Sequence, residues 1–126
     1  MVATLLEPQE QRELGLREES DLCRAHGIEF ISFPIADRGV PASLAETVGL
    51  VRRLACAIEA GGTVGVHCRA SIGRSGLIAA CVLIALGHSE AKALEAVAMG
   101  RGLGVPETSV QRAFVSLVAR EVAPPR

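Results

Sequence analysis

One cysteine and one arginine are spaced so that a small anion could be held between them. Cys68 follows the apolar run 63–67, and Arg74 comes six positions later, just before the apolar run 77–86. The other three cysteines have no arginine six positions on. A thiolate can attack phosphorus, and a guanidinium can contact two phosphate oxygens at once. The spacing therefore makes Cys68 a candidate nucleophile for phosphoryl transfer.

The loop between these two residues is predicted to bind the anion through its backbone. It leads from a strand into a helix, where N–H groups point outwards and the helix dipole favours negative charge. Consecutive N–H groups in a tight loop form an anion nest, which also favours the thiolate. Ser75 can donate a hydrogen bond to the Cys68 sulfur when that sulfur acts as the leaving group. The predicted phosphate-binding residues are Arg69, Ala70, Ser71, Ile72, Gly73 and Arg74.

Displacement of an alkoxide or phenoxide also needs a proton donor. Asp37 lies in the loop 33–41, which contains two prolines and Gly39, one predicted helix before Cys68. In a parallel α/β sheet the loops after the strands gather at one edge, where ligands bind. Because Asp37 and Cys68 each follow a predicted strand, we expect both at that edge. Asp37 is the candidate general acid, and an ordinary loop aspartate is the alternative.

The elements that position these residues are read from hydrophobic periodicity and turn signals. Strands are predicted at 2–6, 28–33 and 63–67, and helices at 8–14, 18–26, 44–60, 74–86, 89–99 and from about Pro106. The helix 44–60, with Ser43 as its N-cap, has an apolar face of Leu44, Val48, Val51, Ala55 and Ile58. The last helix is predicted to carry Val110, Phe114, Leu117 and Val118 on one apolar face.

Strands separated by helices predict an α/β fold with a mostly parallel central sheet flanked by helices. The active-site loop would join strand 63–67 to helix 74–86. A length of 126 residues fits one domain. With the candidate chemistry of Cys68 and Arg74, residues 1–126 are predicted to form a single phosphatase-like domain.

Composition removes several other function classes. The net charge is −1 and the chain has no Trp or Tyr, so neither a nucleic acid nor a membrane surface is an expected partner. The longest apolar run, 77–86, is too short to cross a bilayer. The four cysteines form no Cys-x-x-Cys pair, so no metal site is expected. Free thiols favour a cytoplasmic location. The oligomeric state stays open.

The quoted residues resemble the cysteine-dependent protein tyrosine phosphatase superfamily, especially its small dual-specificity-like members. Residues 67–75 are similar to the signature His-Cys-x-x-Gly-x-x-Arg-Ser/Thr, and Asp37 lies in a similar Pro-x-x-Asp-x-Gly-x-Pro loop. Segment 105–111 resembles the one that supplies a water-positioning glutamine, which points to Gln111. The resemblance implies a phosphocysteine intermediate, a loop-ordering role for His67, and no metal or cofactor. The substrate would be a phosphorylated protein or a small phosphomonoester.

Two departures from the family pattern keep alternatives open. Ser71 stands where the family usually has Gly. Compared with the family pattern, we also expect this sequence to lack the strand and helix that usually precede the segment 2–6. An inactive phosphate-binding module and a rhodanese-like sulfur transferase are the alternative functions. For Gln111 a solvated helix residue is the alternative to a catalytic one, and Arg69 could simply face solvent.

Overall fold

The computed structural model describes residues 1–69, 73–101, 106 and 108–124. Ala70, Ser71 and Ile72 of the predicted phosphate-binding loop lie outside the described residues. The elements are, in chain order, β1 (Val2–Thr4), α1 (Pro8–Glu13), α2 (Glu19–Ala25), β2 (Phe30–Ser32), α3 (Leu44–Glu59), β3 (Gly65–His67), α4 (Arg74–Ala85), α5 (Glu90–Arg101) and α6 (Ser109–Val122).

The three strands form one parallel sheet in the order β2-β1-β3. In register, Ala3 of the central strand lies opposite Ile31 on one side and Val66 on the other. Every strand is followed by a helix, so all three run in the same direction, as crossover connections require. The predicted α/β class and parallel sheet are confirmed, although each regular strand is only three residues long.

The central helix of the core is α4, which contacts β3 and the helices α3, α5 and α6. It buries nine of its 12 residues, which explains why its sequence is apolar on nearly every side. Helix α3 begins as predicted, since Ser43 Oγ accepts a hydrogen bond from Glu46 N at 3.1 Å. No helix in the described part of the chain is long and apolar enough to cross a membrane.

Helix α6 is rotated relative to the prediction. It starts at Ser109 rather than near Pro106, after the N-cap Thr108, and buries Gln111, Val115, Val118 and Val122. Two residues of the predicted apolar face are exposed, Val110 at 62% and Leu117 at 44%. The predicted apolar face is therefore wrong for Val110 and Leu117, whereas Val118 is buried and Phe114 packs against the core. The cause is a capping box, in which the side chains of Thr108 and Gln111 each bond the other's backbone N–H and Gln111 turns inwards.

Hydrogen bonds beyond the strand ends hold three loops side by side. Leu5 N donates to His67 O at 2.9 Å, Phe33 N donates to Thr4 O at 2.9 Å, and Ile35 N donates to Leu5 O at 3.0 Å. These bonds bring the carboxyl ends of β1, β2 and β3 to one edge of the sheet. The segments that follow, which carry α1, Asp37 and Cys68, start from that edge.

Candidate active site

Cys68 and Ser75 lie together where β3 leads into α4. Both are buried, and Cys68 Sγ is 3.3 Å from Ser75 Oγ, within hydrogen-bonding distance for sulfur. Ser75 belongs to the first turn of α4, so its position is fixed by the helix rather than by a loop. The structure thus brings the predicted nucleophile and the predicted donor to its sulfur into contact.

Arg74 is only 2% exposed and is held by a carboxylate and a backbone carbonyl. Its Nη1 and Nη2 donate to Glu10 Oε1 and Oε2 at 2.7 and 2.8 Å, and Nη1 also donates to Ile35 O at 2.9 Å. The hydrogen bond that Arg74 donates to Glu10 is the main reason that the pKa of Arg74 lies above its ordinary value. Smaller contributions come from the charges of Cys68 and Asp37. The guanidinium is therefore permanently charged and fixed in orientation.

Asp37 reaches the same guanidinium from the loop after β2. Its Oδ1 is 3.4 Å from Arg74 Nη2, and its side chain is 66% exposed. A tight turn closed by Gly39 N donating to Ala36 O at 2.8 Å carries it, and Arg38 within that turn has a φ of 61°. A non-glycine residue in the left-handed region costs about 1 kcal/mol, as is common at functional sites. The predicted acid is thus beside the predicted anion-binding arginine and open to solvent.

Glu10 is the main site residue that the sequence interpretation missed. It lies in α1, on the chain segment that follows β1, and it is buried. Its contact with Arg74 lowers the pKa of Glu10 below its ordinary value, against the opposing effect of burial. The rule that segments after parallel strands gather at one edge applied to α1 as well as to Asp37 and Cys68. That rule was the sequence signal that could have pointed to α1, the helix that carries Glu10.

Arg69 contacts α1 as well. Its Nη1 donates to Glu13 Oε2 at 2.8 Å, and the two side chains are equally exposed, at 45%. This hydrogen bond raises the pKa of Arg69 and lowers that of Glu13. Arg69 therefore belongs to a surface ion pair, and its predicted phosphate contact stays a prediction.

His67 is paired with a residue that the sequence interpretation did not select. Its Nε2 lies 2.7 Å from Glu19 Oε2, and the side chains are 27% and 20% exposed. Glu19 is the first residue of α2, so the contact ties that helix to the end of β3, one residue before Cys68. No sequence signal joined these two positions, because they are far apart in the chain.

Gln111 is fully buried, so the interpretation of it as a solvated helix residue is wrong. Its Oε1 accepts from Thr108 N at 3.2 Å, and its Nε2 donates to Gly39 O at 3.0 Å. A Cβ placed on Gly73 would lie 2.8 Å from Gln111 Oε1, so that glycine is needed for the close approach. Gln111 thereby connects α6 to the Asp37 loop and to the residue before Arg74.

Among residues 1–69, 73–101, 106 and 108–124, no three His, Cys, Asp or Glu side chains are grouped so that they could hold a metal ion.

Comparison with protein families gives one match over most of the chain. A family model described as "Tc-R-P: Polymorphic toxin system, DSP-PTPase phosphatase" matches residues 1–88. A curated relative, "Protein tyrosine phosphatase domain-containing protein 1" of Danio rerio, is 37% identical over 72 residues. That match covers 57% of this chain and 10% of the relative, so the chain corresponds to a small part of that protein.

Solved structures show the same fold. Kinase associated phosphatase, with its catalytic-site cysteine replaced by serine, has a TM-score of 0.85 at 24% identity, covering 99% of this chain and 71% of its own. PTPMT1 in complex with PI(5)P has a TM-score of 0.74 at 27% identity, with 97% of this chain and 80% of that chain covered. At 24% identity, the likeness to kinase associated phosphatase concerns the fold alone.

Proposed function

This chain belongs to the polymorphic toxin system DSP-PTPase phosphatase family, and we propose that it hydrolyses phosphomonoesters through a phosphocysteine formed at Cys68. The observation that carries the proposal is the position of Arg74. Its Nη2 is 3.4 Å from the carboxylate of Asp37. Ser75, the next residue of α4, has its Oγ 3.3 Å from Cys68 Sγ. Adjacent residues at the start of α4 therefore contact the proposed nucleophile and the proposed acid, and Arg74 supplies the anion-binding cation.

Arg74 presents one edge of its guanidinium to the phosphoryl group. Glu10 occupies the end formed by Nη1 and Nη2, and Ile35 O takes the outer side of Nη1. The remaining edge, formed by Nε and Nη2, has only the 3.4 Å contact with Asp37 among the described residues. A planar fork of this kind matches two equatorial phosphate oxygens, whose charge it stabilises in the transition state.

In the first step the Cys68 thiolate attacks phosphorus. The S–P bond forms while the bond from phosphorus to the leaving oxygen breaks, and the carboxylic acid of Asp37 gives its proton to that oxygen. The exposed position of Asp37 suits this role, because the leaving group must depart towards solvent.

In the second step water attacks the phosphorus of the phosphocysteine. The Asp37 carboxylate takes the proton of the water, the S–P bond breaks, and inorganic phosphate is released with Cys68 again a thiolate. The Ser75 hydroxyl, 3.3 Å from the sulfur, donates a hydrogen bond to the developing negative charge. Gln111, whose Nε2 donates to Gly39 O next to Asp37 in the acid loop, is the proposed water-positioning residue.

The substrate class follows from the reaction rather than from a recognition surface. A phosphorylated protein, on tyrosine or also on serine and threonine, and a small phosphomonoester are the proposed substrates. PTPMT1, one of the structural neighbours, has been crystallised with PI(5)P, which places a phosphorylated lipid among the compounds to assay. Because Cys68 must stay reduced, we place the reaction in the cytoplasm.

A turnover assay tests the proposal. Hydrolysis of an aryl phosphate is compared for the wild type, for Cys68→Ser, and for Cys56→Ser, which changes an exposed free cysteine. We expect loss of turnover in Cys68→Ser alone. Full activity in Cys68→Ser would reject the mechanism. Vanadate binding by a wild type without turnover would instead support a phosphate-binding module.

A further inference from the structure

His67 joins the sheet to the nucleophile. As the last residue of β3 it lies in register with Thr4, and its carbonyl accepts from Leu5 N at 2.9 Å. The next residue is Cys68. Because the sheet fixes the backbone of His67, the orientation of its ring is what a neighbour can still control.

Glu19 is that neighbour. Its Oε2 lies 2.7 Å from His67 Nε2, a length typical of a charge-assisted hydrogen bond. Its other oxygen, Oε1, is buried and has no hydrogen-bond partner among the described residues. A buried carboxylate oxygen left in this way costs free energy, and such a group in a native structure needs an explanation.

We propose that Glu19 is a positioning residue that acts through His67 to keep Cys68 reactive. A carboxylate can only accept hydrogen bonds, so this contact makes Nε2 a donor and fixes the orientation of the ring. The ring is thereby held at the end of β3, and the backbone that leads into Cys68 is held with it. The same contact holds α2 against the end of β3. The use of the Cys68 thiolate in catalysis rests on the proposed function, whereas the contact between Glu19 and His67 does not.

Alkylation of Cys68 by iodoacetamide at fixed pH tests the inference without requiring turnover. The assay uses a Cys23→Ser/Cys56→Ser background, which leaves Cys68 and the fully buried Cys81. The variants are Glu19→Ala, Glu19→Gln and His67→Asn, together with the double variant Glu19→Ala/His67→Asn. Glu18→Gln is the matched control, because Glu18 is the adjacent carboxylate and is exposed.

We expect Glu19→Ala to slow alkylation about tenfold, the effect of losing one charge-assisted hydrogen bond. The isosteric Glu19→Gln should lie between Glu19→Ala and the wild type, and Glu18→Gln should match the wild type. The double variant should alkylate at the rate of His67→Asn, since Glu19 acts through that ring. With an aryl phosphate, Glu19→Ala should lower kcat and leave KM close to that of the wild type.

Wild-type alkylation in Glu19→Ala, or additive effects in the double variant, would overturn the inference. A melting temperature for each variant separates loss of reactivity from unfolding, and Glu19→Gln preserves the volume of the side chain. Failure of the proposed function has a different signature, namely normal alkylation of Cys68 in a wild type that hydrolyses no phosphomonoester.

Discussion

Both carboxylate oxygens of Glu10 lie within 2.8 Å of the two terminal nitrogens of Arg74. The pair is buried and joins α1 to the first residue of α4. Because Glu10 occupies the end formed by Nη1 and Nη2, the adjacent edge formed by Nε and Nη2 is the one proposed to bind the phosphoryl group. One contact therefore affects both stability and phosphate binding.

Removing Glu10 should weaken both the stability of the fold and the binding of phosphate. In Glu10→Ala the charge of Arg74 stays buried without its carboxylate, and we expect a loss of about 2–3 kcal/mol in the free energy of unfolding. This expected loss is smaller than the largest known for a broken buried ion pair, because Ile35 O would still accept a hydrogen bond from Arg74 Nη1. Urea denaturation measures it. Glu13→Ala, which breaks the exposed pair with Arg69, is the control and should leave the urea midpoint nearly unchanged.

Low pH should remove the contribution of Glu10 to the free energy of unfolding. Its pKa in the folded chain is lowered from 4.5, chiefly by the hydrogen bond from Arg74, so the folded state favours the carboxylate. The stabilisation is fully present above the unfolded pKa and is lost as pH falls through the lowered folded pKa. The difference in unfolding free energy between the wild type and Glu10→Gln should be constant near neutral pH and shrink below about pH 4.5. A difference that grows in acid would contradict this assignment.

A methyl group on Gly73 should displace Gln111. The added Cβ would lie 2.8 Å from Oε1 and 2.9 Å from Nε2 of a buried amide that Thr108 and Gly39 hold in place. We expect Gly73→Ala to cost about 1–3 kcal/mol and to lower kcat, because the shift reaches the Asp37 loop through Gly39.

The matched control for this substitution is Gly49→Ala in α3, where a new Cβ meets no atom within 4 Å. It should leave kcat unchanged and raise stability by up to about 1 kcal/mol, because alanine favours the helix. Denaturation measures the free energy of unfolding of both variants, and steady-state kinetics measure their kcat. Equal kcat in the two variants would show that Gln111 does not couple to the acid loop.

The role of Asp37 can be separated from simple charge effects by changing the leaving group. A general acid matters most when the leaving oxygen is basic. Asp37→Asn should lower kcat about 100-fold or more with an alkyl phosphate and much less with a nitrophenyl phosphate. Equal losses with the two substrates would assign Asp37 an electrostatic or structural role instead.

The sequence predicted those parts of the site that lie close together in the chain. Cys68, Arg74 and Ser75 follow from one loop between a strand and a helix, and Asp37 followed from the rule for parallel sheets. Glu10 and Glu19 were missed because an ion-pair partner depends on tertiary position, which spacing along the chain does not encode.

The orientation of α6 was wrong for a related reason. Val110 and Leu117 are apolar, and their periodicity predicted burial, yet they are exposed. The polar Gln111 is buried instead, because its amide satisfies both Thr108 N and Gly39 O. Local hydrophobicity was outweighed by hydrogen bonds that only the folded chain provides.

The most direct test of the central claim is to trap the covalent intermediate. A ³²P-labelled aryl phosphate is mixed with the wild type, Cys68→Ser and Cys56→Ser, the reaction is stopped in acid, and the labelled peptide is mapped. We predict label on the peptide that contains Cys68 in the wild type and in Cys56→Ser, and none in Cys68→Ser. Label at another residue, or turnover in Cys68→Ser at the wild-type rate, would contradict phosphocysteine catalysis by this chain.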